Sequence, residues 1–267
     1  MELNISEGAK RIITRLESAG YTAYIAGGAV RDLLMGNAPH DYDIATNARP
    51  VEIKALFKKT IDTGIAHGTV TVIENKTGYE ITTFRCDGEY SDSRHPEDVI
   101  YVNDTRIDCL RRDFTINAMM YNPKTGVIDY FCGKRDIRQG IIRCVGNAEM
   151  RFKEDALRML RAVRFKAQLG FTLEDKTAQA IKKCAVLIKK VSKERVLEEL
   201  NKILLSDNPD AIRDLHELGL LKLILPEVER CFGEPQRNKY HIYDVGEHIM
   251  HTVSNTPRDL ILRWAAL

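Results

Sequence analysis

The chain has 267 residues, enough for one large domain or two modest ones, with 44% hydrophobic and 29% charged residues. That balance excludes a disordered, collagenous or coiled-coil protein, and the aromatic content of 7% excludes a surface built on aromatic cages. Forty Lys plus Arg against 38 Asp plus Glu leave a net charge of +2, so global charge does not mark a nucleic-acid binder. In chain order, Met1–Lys10 lacks the apolar core of a secretion signal, and no apolar run nears the roughly 18 residues of a membrane span. A cytoplasmic location is expected. Strands are predicted over Tyr21–Ala26, Asp41–Ala45, Thr69–Glu74 and Tyr79–Arg85, where β-branched and aromatic residues concentrate. Asn75 to Gly78 reads as a four-residue hairpin loop, so an antiparallel arrangement is expected. The polar segment Cys86–Asp104, with Asp87-Gly88 and Pro96, reads as a mobile loop. From about Asn147 the pattern becomes helical throughout, punctuated by Gly170, Pro209, Gly219, Pro226 and Gly233.

Several constellations could carry chemistry. Tyr24 to Asp32 is a strand turning through Gly27 and Gly28 into a helix, a geometry that brings backbone N–H groups close to an anion. It matches neither a dinucleotide fingerprint nor a P-loop. Next comes Asp41-Tyr42-Asp43. Residues i and i+2 of a strand share a face, so two carboxylates would project together, a repulsive pairing that magnesium would relieve. Arg111-Arg112-Asp113 reads either as a surface ion-pair cluster or as a phosphate and ribose contact made by a planar guanidinium.

A single helix is predicted from Arg151 to Lys166. On it Ala156, Leu160, Val163 and Ala167 form the core face, while Asp155, Arg158, Arg161 and Arg164 lie mostly away from the core. Glu154 and Arg158 suit an i,i+4 pair. The alternative for this face is that a carboxylate and a guanidinium three residues apart offer acceptor and donor to a base edge. From Lys134 to Lys166 ten basic residues face four acidic ones, a local surplus of six that could meet a polyanion. The cysteines at 86, 109, 132, 144, 184 and 231 have no close pairing of the zinc-ribbon or dithiol kind and are expected as free thiols. His241, His248 and His251 are read as ordinary histidines, since a metal site would need further ligands.

Taken in order, Gly27 to Asp32, Asp41-Tyr42-Asp43, Arg111 to Ala118, Asp129 to Gly133 with Asp136, Glu154 to Arg158, and Glu194-Arg195 resemble the motifs of class II tRNA nucleotidyltransferases. These are the CCA-adding enzymes of the DNA polymerase beta-like superfamily, which includes bacterial poly(A) polymerases. The resemblance covers about the first 230 residues. It implies an α+β fold, with a nucleotidyltransferase head holding a small mixed or antiparallel sheet over residues 1–146. An all-helical neck and body RNA-binding region over 147–230 would follow, and then the start of a helical, HD-like region over 231–267. It also implies that Gly28 and Arg31 hold a triphosphate, that Asp41 and Asp43 are catalytic and bind Mg²⁺, and that Arg112 contacts the nucleotide's sugar or phosphates. Asp155 and Arg158 would read the Watson–Crick edge of CTP or ATP, supported by Arg161 and Arg164. The segment near Cys86–Asp104 resembles the flexible element linked to the switch from CTP to ATP. The expected activity is template-independent CCA addition to the 3′ end of tRNA. The rival readings are a poly(A), CC- or A-adding sibling, a non-catalytic RNA-binding protein, and an HD-type phosphohydrolase. Tyr240 to His248 looks like an HD-domain entry without its His-Asp pair, so the chain is expected to be a fragment.

Overall fold

The computed structural model describes residues 3–87, 99–237 and 240–267. The described chain forms two units dividing at Gln139/Gly140. In the first, the strands are β1 (Ala23–Ala26), β2 (Asp43–Thr46), β3 (Thr60–Gly64), β4 (Thr69–Glu74), β5 (Thr77–Thr83), β6 (Arg85–Asp87), β7 (Val99–Tyr101), β8 (Met119–Asn122) and β9 (Gly126–Asp129). Its helices are α1 (Glu7–Ser18), α2 (Gly28–Leu34), α3 (Pro50–Leu56), α4 (Thr105–Leu110) and α5 (Gly133–Gln139). The sheet order is β3-β4-β5-β2-β1-β8-β9. Every pairing in it is antiparallel except β2 with β5, so the sheet is mixed.

One face of this sheet is the core. The Ser6 hydroxyl caps α1 by accepting from the Ala9 N–H, and Ala9, Ile12, Ile13 and Leu16 recur at helical spacing on its buried side. They pack with Ile25, Ile44, Val70, Val72, Ile81 and Tyr121 from alternate strand positions and with Ile53 of α3. Because Ile44 points into this core, Asp43 and Ala45 point to the opposite face. The β4–β5 hairpin closes more tightly than expected. Glu74 pairs with Thr77, leaving Asn75 and Lys76 as a two-residue loop with φ of 49° and 66°, the primed-turn geometry whose twist suits a hairpin. The expected loop over Cys86–Asp104 is strand-paired at both ends, with Arg85 opposite Tyr101 and Asp87 opposite Val99; residues 88–98 lie outside the described residues.

The second unit holds β10 (Ile141–Ile142), α6 (Ala148–Glu154), α7 (Leu157–Leu169), β11 (Thr172–Leu173), α8 (Asp175–Cys184), α9 (Lys193–Leu204), α10 (Ile212–Glu217), α11 (Leu221–Ile224), α12 (Pro226–Glu229), α13 (Val245–Asn255) and α14 (Leu260–Ala266). It is helical apart from the parallel pair β10–β11. Gly170, at φ 67°, ends α7 by donating its N–H to the Lys166 carbonyl. Among the described residues no helix is long and apolar enough to cross a membrane.

Candidate active site

The site starts where β1 runs into α2. Gly27 has φ 71° and ψ −137°, a backbone region that side chains disfavour, and donates its N–H to the Met119 carbonyl at 3.2 Å. A β-carbon there would lie 3.0 Å from Arg112 Nη1 and 3.7 Å from Asp43 Oδ2. The missing side chain therefore lets a guanidinium and a carboxylate close on the turn. Asp43 reaches this corner because it stands opposite Ala26, the last residue of β1. Tyr42 turns inward: its hydroxyl accepts from the Ser6 N–H at 3.2 Å and its ring lies 6.3 Å from that of Tyr79. Asp41 and Asp43 on either side of it are both exposed, as in an extended chain. The strand begins at Asp43, so Asp41 stands in the lead-in and not within the predicted strand. The parallel register also sets exposed Glu80 opposite Asp43, a neighbour invisible without knowing that β2 pairs with β5.

Arg111 and Arg112 share one buried partner that sequence reasoning missed. Asp108 is fully buried and accepts from Arg111 Nε at 2.9 Å and Arg112 Nη2 at 3.2 Å. Burial pushes its pKa up, but the Arg111 and Arg112 charges and their hydrogen bonds outweigh this and hold the carboxyl below its ordinary value. Burial likewise acts to lower the Arg112 pKa, and Asp108, Cys109 and Asp43 reverse it, keeping the guanidinium firmly charged. Arg112 thus lies between a buried carboxylate that fixes it and an exposed one at the turn. The spacing of three and four residues back to Asp108 on α4 was the available signal.

Arg31 is held from two sides. Its Nε and Nη2 meet Asp32 Oδ1 at 2.8 and 2.7 Å, and its Nη1 donates to Asn117 Oδ1 at 2.8 Å. Asn117 donates from Nδ2 to Asp113 Oδ1 at 3.2 Å. Gly28 opens α2 beside this guanidinium. Asp129 and Asp136 have structural partners: Asp129 accepts from the Gly133 and Lys134 N–H groups, and buried Asp136 accepts from the Thr115 hydroxyl at 2.7 Å.

In the second unit the predicted helix over Arg151–Lys166 is two helices. Asp155 adopts φ −140° and ψ 105°, ending α6, and its Oδ1 accepts from the Leu157 N–H at 3.1 Å as α7 begins. Its carboxylate also takes both Nη groups of Arg195, at 3.4 and 3.0 Å. Glu154 and Arg158 do form the i,i+4 pair, at 2.7 Å, and the same Nη1 donates to the Arg151 carbonyl. The expected outward charged band is corrected, because Arg158 and Arg164 are 8% and 7% exposed. Burial of charge is tolerated here through pairing: Arg164 donates to Glu199 at 3.1 Å and lies 4.2 Å over the Phe165 ring, with Arg161 at 5.4 Å from that ring. The basic surplus over Lys134–Lys166 is likewise reduced, since Arg143, Arg164 and Lys166 pair with Glu174, Glu199 and Asp214 from beyond it.

Among the described residues no group of three or more His, Cys, Asp or Glu side chains could by itself hold a metal. His241 stacks edge-on against His248, and His251 packs on Tyr243. The Asp41 and Asp43 pair fits Mg²⁺ on chemical grounds. Both are exposed hard oxygen donors, and Mg²⁺ is commonly held by one or two carboxylates, with waters and substrate phosphates completing the shell.

The chain is similar to known proteins over most of its length. Residues 23–143 match the family model "Poly A polymerase head domain", and residues 170–232 match "Probable RNA and SrmB-binding site of polymerase A". The CCA-adding enzyme of Lactiplantibacillus plantarum is 52% identical over 205 residues, covering 77% of this chain and 50% of the relative. The crystal structure of the Bacillus stearothermophilus CCA-adding enzyme with CTP superposes with a TM-score of 0.78 at 44% identity, covering 84% of this chain and 55% of that one. A tRNA nucleotidyltransferase complexed with a primer tRNA and an incoming ATP analog is 28% identical, with a TM-score of 0.67 over 83% of this chain and 66% of that one. The chain spans about half the length of the curated relatives it matches.

Proposed function

This chain belongs to the family of poly(A) polymerase head domains and class II CCA-adding enzymes, and from that premise we propose that it adds C, C and A to the 3′ end of tRNA from CTP and ATP without a nucleic-acid template, releasing pyrophosphate. The observation that carries this reading is the corner where Gly27, Asp43 and Arg112 converge. Asp41 and Asp43 would hold Mg²⁺, with waters and the substrate phosphates completing its shell. Magnesium, when bound, supplies charge neutralisation at the attacking and leaving oxygens. The backbone at Gly28 and the Arg31 guanidinium grip the triphosphate, and Arg112 contacts the sugar or phosphates.

Asp155 and Arg158 choose the base, with Arg161 and Arg164 in support. A carboxylate offers about four acceptor positions, and Arg195 and the Leu157 amide occupy three on Asp155. One further donor is accommodated, and cytosine and adenine carry an exocyclic amino group at C4 and C6 respectively, where uracil and guanine carry a carbonyl oxygen. The reading extends to a head over 1–146, an RNA-binding neck and body over 147–230, an HD-like start over 231–267, and work in the cytoplasm.

The test is to sequence the 3′ ends formed on end-trimmed tRNA with Mg²⁺ and all four nucleoside triphosphates. CCA ends are expected from the chain and none from Asp43→Ala. A run of A, or C alone, identifies a sibling polymerase. RNA binding without pyrophosphate release identifies a non-catalytic binder.

A further inference from the structure

The hydrogen-bond chain Asp113–Asn117–Arg31 has no assigned purpose in the reading above. We propose that Asn117 is a positioning residue that aims the Arg31 guanidinium at the incoming triphosphate, its own amide oriented by Asp113. This rests on the proposed role of Arg31. An amide side chain can present either its oxygen or its nitrogen to a neighbour. Here the choice is forced: Nδ2 donates to Asp113 Oδ1 at 3.2 Å, so Oδ1 must face Arg31, whose Nη1 it meets at 2.8 Å. Asp113 is fixed in turn, because the same Oδ1 accepts from the Phe114 N–H at 2.7 Å. Asn117 and Asp113 are 6% and 7% exposed, so water does not compete strongly for these bonds.

The neutral acceptor matters. Asp32 already offsets the Arg31 charge on one side. A second carboxylate at 117 would outweigh that charge, whereas an amide oxygen directs the guanidinium without cancelling it. The placement also ties two parts of the corner together, since the Asn117 carbonyl oxygen lies 4.0 Å from where a Gly27 β-carbon would stand.

The experiment is a double-mutant cycle of Asn117→Ala and Arg31→Ala, reading KM for CTP, kcat and the inhibition constant of pyrophosphate at saturating tRNA. Asn117→Ala is expected to raise KM and weaken pyrophosphate about tenfold, the scale of one charge-assisted hydrogen bond, with kcat within about twofold. On the Arg31→Ala background it is expected to add less than about twofold, because the residue it acts through is gone. Multiplicative effects in the double variant, or a fall in kcat at unchanged KM, overturn the positioning role while leaving Arg31 as a triphosphate contact. An unchanged KM in Arg31→Ala alone overturns the Arg31 assignment itself and the proposal with it. If Asn117→Ala does not fold, Asp113→Asn reads the same relay: it keeps an acceptor for the Phe114 N–H but no longer fixes which way the amide points. A smaller rise in KM supports the relay, and none overturns it.

Discussion

Asp108 shows how one side chain can organise a site without touching its open side. Two guanidinium groups converge on a carboxylate with no exposure, so removing its charge leaves both arginines short of their counterion. Asp108→Asn is expected to destabilise the chain by about 3–5 kcal/mol at neutral pH, measured by urea unfolding. The sign of the pH effect follows from the lowered folded-state pKa. The contribution of Asp108 is fully present above the ordinary aspartate value of 3.8 and is lost as pH falls below it through the depressed folded-state value. The difference between wild type and Asp108→Asn should therefore narrow only in strong acid, and a difference that narrows between pH 7 and 5 would contradict the assignment. Next to it, burial pushes the Cys109 thiol up to about 12. Iodoacetamide should label exposed Cys86 and Cys132 in the native chain and reach Cys109 only after unfolding, as peptide mass mapping would report.

Among the elements, the β1–α2 turn tolerates a side chain poorly. Gly27→Ala meets a cost of about 1–3 kcal/mol from backbone strain and presses a β-carbon on Arg112 at 3.0 Å. CTP incorporation is expected to fall more than about tenfold while the melting curve shows a folded protein. The junction between α6 and α7 depends on Arg195. Arg195→Ala should release Asp155 and relax the choice among the four nucleotides, and unaltered selectivity would remove Asp155 from that role. These elements also show what sequence can reveal. The β-branched run of β4 marks its bounds, Thr69–Glu74, residue for residue. Met119-Met120-Tyr121-Asn122 went unread as β8 because all four residues are buried and no alternation survives. The helix break at Asp155 carries no Gly or Pro; tertiary pairing with Arg195 and a local bond to the Leu157 amide make it. The order of the motifs was legible, but their partners, Asp108, Glu80 and Arg195, depended on contacts that only folding creates.

For the whole molecule, charge is decided by pairing more than by count. The surplus read over Lys134–Lys166 is partly spent on internal acids, whereas Lys182, Lys189 and Lys193 are exposed within the segment matching an RNA-binding region. Reversing Lys189 and Lys193 to Glu is expected to weaken tRNA binding and to flatten the log–log salt dependence by about 0.7–0.9 per lost phosphate contact, measured by filter binding from 50 to 200 mM salt. An unchanged slope would place the RNA elsewhere. The position of β2 has a last consequence. Asp43 begins a strand bonded to β1 on one edge and β5 on the other, whereas Asp155 sits at a break between helices and is held by side-chain bonds. Such junctions open at lower cost than central strands. On warming, wrong letters should accumulate at the tRNA terminus before synthesis slows: accuracy melts first.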